Sequence, residues 1–151
     1  MSDAPPLLHD PEFGDLRRAT SELTDGSVLT HDWFVGTREV DGTEVELMLE
    51  GTTPAEVEPL LPRLRSTVSR LDALRRTASD AVVTRFSTAE PEPHELDEAA
   101  SDLQLETIEV AADGTVVLHL ADTCGEHFPE GYWPAVHLGP GDTVVDVTVE
   151  S

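Results

Sequence analysis

Val45, Leu47 and Leu49 alternate with Glu44, Glu46 and Glu50, the period-two pattern of a half-buried strand with one wet face. Upstream, the run from Val28 through Trp33, Phe34 and Val35 is rich in strand-forming residues. Asp41-Gly42 lies between the two runs and readily supplies the positive φ angles of a tight turn, so the pattern predicts a hairpin. The period then changes. Val57, Leu61, Leu64, Val68, Leu71, Leu74, Ala78, Val82 and Phe86 recur at steps of three and four, which is one apolar stripe of a helix. Thr53 suits the cap, Pro54 the first helical position, and Glu56 completes a capping box. Pro59 and Pro62 each lack an N–H and crowd the preceding turn. A short opening turn is therefore expected, followed by one main helix from about Pro62 to Phe86.

Residues 87–93 read as an exposed connector, and a short acidic helix over His94–Leu103 follows. The remainder returns to strand patterning. Residues 105–110 and 115–121 flank Asp113-Gly114, and residues 132–138 and 143–149 flank Pro140-Gly141-Asp142. Val145, Val147 and Val149 alternate with Asp146, Thr148 and Glu150, so the last strand also predicts one solvated face. Segregated elements of this kind imply an α+β fold: a mostly antiparallel sheet with one long helix packed on one face and a short second helix. Residues 1–12, with Pro5, Pro6 and Pro11, read as a flexible N-terminal arm, and residues 13–151 as a single domain. No repeat at solenoid or propeller spacing interrupts it.

Composition changes this picture mainly through charge. Of 151 residues, 31 are acidic and nine basic, a formal net of −22, and every basic residue is Arg. Residues 54–86 carry a net of +2, whereas residues 87–151 hold fifteen acids and no Arg, a net of −15. Such a field repels nucleic-acid backbones and anionic lipid surfaces. Two readings of it compete: solvation in a salty cytoplasm, and a docking face for a basic protein. Residues 1–10 show neither a basic n-region nor an apolar h-region, and no apolar run is long enough to cross a bilayer. A cytoplasmic location is the natural expectation. The single Cys124 fits it, since one thiol cannot build a disulfide framework.

Candidate chemistry is sparse. Cys124 and His127 stand three apart, with His119, Asp122 and His137 near in sequence, and ligands of these types hold zinc. Cys124, His127 and His119 are thus the candidate metal ligands, although the spacing matches no finger or ribbon. The plainer alternative is a loop with a small thiol and solvated imidazoles. The expectation is no cofactor, with zinc as the alternative. No Gly-x-Ser-x-Gly elbow, Walker loop or dinucleotide fingerprint is present, and nothing marks a carboxylate pair for acid–base work. Arg63, Arg65, Arg70, Arg75, Arg76 and Arg85 read either as an anion-binding strip or, more simply, as a polar helix face pairing with the acidic excess. Trp33 and Trp133 read either as ligand anchors or, more simply, as core.

Several stretches together resemble an uncharacterised bacterial family, the domain of unknown function numbered twenty-two sixty-two, and its relatives. These are Phe13-Gly14, the hairpin from Asp32-Trp33 to Gly51, the segment Leu105–Val110 with Asp113-Gly114, and Tyr132-Trp133 before the final strand. The resemblance spans roughly residues 13–150. The family's aromatic-Gly-His segment is replaced here by Trp133-Pro134-Ala135, so no functional residue transfers. The resemblance implies a fold and leaves activity open. The reading that follows is a non-enzymatic acidic interaction module, of immunity or regulatory type, that binds a basic protein partner. A small metal-dependent or hydrolytic enzyme with a pocket between sheet and helix is the alternative. A homo-oligomer through paired sheet edges is a further one.

Overall fold

Alternating strand residues and three turn dipeptides build most of the sheet. The computed structural model describes residues 7–125 and 127–151. Strands β1 (Leu7–Asp10), β2 (Gly14–Glu22), β3 (Val28–Val40), β4 (Thr43–Glu50), β5 (Leu103–Val110), β6 (Val116–Asp122), β7 (Trp133–Leu138) and β8 (Val144–Glu150) form one sheet in sequence order. Neighbours run antiparallel except β4 and β5, which are parallel. A parallel neighbour needs a crossover, and among the described residues every α-helix sits in that single connection. The sheet is thus two four-stranded meanders joined at its middle.

The turns work as their chemistry requires. At Asp41-Gly42 both residues take positive φ, 51° and 81°, so Val40 pairs directly with Thr43. The Asp113-Gly114 segment joins β5 to β6, and Pro140-Gly141-Asp142 joins β7 to β8. Within the stretch expected to be a flexible arm, Leu7–Asp10 pairs with β2; residues 1–6 lie outside the described residues.

The expected single long helix is not formed. Its sequence divides into α1 (Pro54–Val57), a 3-10 turn (Glu58–Leu60), α2 (Leu61–Ser69) and α3 (Leu71–Phe86), and α4 (Pro93–Asp102) follows. The longest, α3, has only 16 residues. Pro59 and Pro62 account for the first division, since neither can donate to the ladder. The second lies at Arg70, whose φ of −116° and ψ of 20° leave the helical region. There Ser69 Oγ donates to the Ser66 carbonyl, a side-chain competitor for the helix ladder. The Arg70 guanidinium meanwhile reaches out to Asp142. A broken path lets each segment turn its own apolar residues inward.

Val57, Leu61, Leu64, Leu71, Leu74, Ala78 and Val82 do enter the core, together with Phe34, Leu47, Leu49, Ile108, Leu118 and Leu138 of the strands. Strand residues one position away point to the other side. That leaves Glu44, Glu46, Glu106 and Asp146 exposed on a face that, among the described residues, no helix covers. Two buried carboxylates tie the helices to the sheet instead. Asp142 is paired with both Arg63 (2.6 Å) and Arg70, and Asp10 with Arg65 at 2.8 Å.

Candidate functional site

The segment after β6 is folded around Asp122. Its Oδ2 accepts the backbone N–H groups of His127 (2.8 Å) and Phe128 (3.0 Å), and its Oδ1 accepts from the Cys124 thiol at 3.2 Å. Burial opposes ionisation of Asp122, but these N–H groups and the thiol outweigh it and hold its carboxyl below the usual range. One carboxylate therefore curls the Cys-x-x-His segment so that both potential ligands emerge together.

A third group joins them from another element. Asp102 ends α4, and its Oδ2 lies 3.1 Å from His127 Nε2. Its carbonyl accepts the N–H and the hydroxyl of Thr123, at 2.9 and 2.7 Å. Donor atoms of Asp102, Cys124 and His127 all lie within 4.8 Å of one another. The register of the β5–β6 hairpin explains the meeting. Leu103 pairs with Asp122, so the residue preceding β5 must face the residues following β6.

His127 also forms part of an open hollow of about 610 Å³ between α3, α4 and the 127–132 segment. Phe86, Phe128, Tyr132, Val82, Leu103 and Val149 supply its apolar wall, and Glu95 and Glu98 stand at its edge. Phe86 and Phe128 meet edge to face at 5.7 Å, a preferred aromatic geometry. Phe86 and Tyr132 are each about half exposed. Phe86, expected to end the buried stripe, thus borders solvent.

His119 does not belong to this corner. Leu118 and Leu120 face the core, so His119 points to the opposite side of the sheet. There the Trp133 indole donates to its Nδ1 at 3.1 Å. Indole can only donate, so Nδ1 is the acceptor and Nε2–H donates to Glu109 at 2.9 Å. That hydrogen bond is the main reason the Glu109 carboxyl lies below its usual range. Beside it, His137 donates to Thr148 Oγ1 (3.0 Å), whose hydroxyl donates to Glu150 at 2.8 Å. Both tryptophans, expected in the core, are partly exposed on this face, Trp33 stacked on His31 at 4.6 Å.

Five of the six candidate arginines are engaged in ion pairs, and the Arg85 guanidinium lies over the Phe86 ring. Arg75 pairs with Asp41 and Asp72, and Arg76 with Asp80 and Asp97. Both border a second hollow of about 350 Å³, beside Val40 and Leu105. With those guanidiniums neutralised, it has no cationic surplus for a phosphate. Among the described residues, no arginine forms an ion pair with Glu44, Glu46, Glu106 or Asp146.

No family model, curated protein or solved structure matches the chain. Among the described residues, no helix is long and apolar enough to cross a membrane.

Proposed function

We propose that the chain is a non-enzymatic docking module whose open sheet face binds a basic protein. One observation carries the reading: the strand carboxylates emerge together on the side without helices, while Arg63, Arg65, Arg75 and Arg76 of α2 and α3 are committed to ion pairs. Uncompensated negative potential of this kind speeds association with a positive surface and selects against acidic partners. Trp33 and Trp133 add the amphipathic aromatic surface that interface centres favour. A row of glutamates alone would be a solvation feature. Partly exposed tryptophans interleaved with histidines among them suit contact better than solvation.

Capture by charge-neutralised variants tests the reading. The immobilised chain should retain a basic protein from lysate of its source cells and release it as salt rises. Replacing Glu44, Glu46 and Glu106 with Gln and Asp146 with Asn should abolish retention. Replacing Glu92, Glu95, Glu98 and Asp97 on the helical side with their amides should leave it intact. Loss of equal size in both variants, or no salt-released partner, overturns the docking face.

A further inference from the structure

We propose that Asp102, Cys124 and His127 bind one transition-metal ion of the zinc class, pinning the 123–132 segment to the end of α4. This site lies apart from the sheet face and does not depend on the docking reading. Three ligand types converge from two elements: a carboxylate, a thiol and an imidazole, with donor atoms inside 4.8 Å. Zinc bonds of about 2.0–2.1 Å to N and O and 2.3 Å to S place tetrahedral ligand atoms roughly 3.3–3.6 Å apart. The Asp102–His127 separation of 3.1 Å falls a few tenths of an ångström short of that spacing. Cys124 is exposed, and the side chains of Asp102 and His127 are 26% and 41% exposed.

The surroundings suit a cation. Asp122 fixes the loop through two backbone N–H groups, an outer carboxylate that orients ligands without occupying the centre. The net charge of −22 raises the local concentration of divalent ions. A thiol in the set favours zinc, cobalt or cadmium over magnesium or calcium, which take oxygen ligands. A thiol must give up its proton to ligate, so affinity rises with pH.

Cobalt is the direct probe. The untagged full chain, stripped with chelator, should take up one equivalent of Co²⁺ with a saturable thiolate-to-metal absorption band. Zinc should displace the cobalt. Cys124→Ser should remove the band. His127→Ala and Asp102→Asn should each weaken zinc binding by at least about tenfold, and His119→Ala should leave it unchanged. These positions are exposed or half-buried, and an unchanged circular dichroism spectrum verifies folding of each variant. Absence of a saturable band, or wild-type zinc affinity in Cys124→Ser and His127→Ala, overturns the site and places any bound metal among surface carboxylates.

Discussion

On the covered side of the sheet, Asp142 and Asp10 are buried and each is met by arginine. On the bare side, Glu44, Glu46, Glu106 and Asp146 face water, and among the described residues no arginine forms an ion pair with them. The residue types are nearly the same, but the energetics are opposite. A buried carboxylate without its counter-charge is costly, so the fold has to supply one. An exposed carboxylate is already solvated and contributes little beyond long-range repulsion. The covered side thus uses its charges to fix geometry. The bare side leaves its charges in solvent.

Asp142→Asn should break this contrast most. Asp142 receives Arg63 and Arg70, and Arg63 also donates to the Gly114 and Gly139 carbonyls. One guanidinium therefore joins two hairpin loops to α2. Loss of the carboxylate should cost about 3 kcal/mol in urea unfolding, the low end of the range for a broken buried pair, because Arg70 is about half exposed. A cost below about 0.5 kcal/mol, the range of a surface substitution, would mean that the two faces do not differ.

Asp10 gives a smaller effect with a sign that pH reveals. Burial opposes its ionisation, yet the Phe13 and Glu12 N–H groups and Arg65 hold its carboxyl below the ordinary value of 3.8. A lowered carboxyl pKa adds stability that is complete above the unfolded value and is lost as pH falls through the folded one. Asp10→Asn should therefore cost about 1–3 kcal/mol at neutral pH. The difference from wild type should shrink below about pH 4. A gap that persists into strong acid would assign the effect to packing.

The sequence made the turns legible because their backbone chemistry is local. Asp41-Gly42, Asp113-Gly114 and Pro140-Gly141-Asp142 all close hairpins where their dipeptides require. Strand β2 was not legible: Arg17, Arg18 and the bulge between Arg18 and Thr20 spoil the alternation that would have announced it. The division at Arg70 was hidden too, since its guanidinium pairs with a residue 72 positions away. The apolar stripe showed which residues are buried but not that several short segments would deliver them.

The candidate site was half legible. Cys124 and His127 stand out as a pair, whereas Asp102 precedes them by more than twenty residues among many other acids. The signal that finds it is hairpin arithmetic. Pairing outward from Asp113-Gly114, with a one-residue shift at the bulge between Leu105 and Thr107, brings position 102 opposite position 123, as the Thr123–Asp102 hydrogen bond shows. The same strand alternation turns His119 away, toward Glu109 and Trp133. Nearness in sequence to Cys124 hid that.

The most direct test of the sorted charges is urea unfolding against salt, comparing wild type with the variant neutralised at Glu44, Glu46, Glu106 and Asp146. The account predicts that the variant is the more stable at low ionic strength, because repulsion across the bare face has been relieved, and that the two converge as salt screens it. A variant less stable than wild type at low salt would show that those carboxylates are structurally paired, and would contradict an open acidic face.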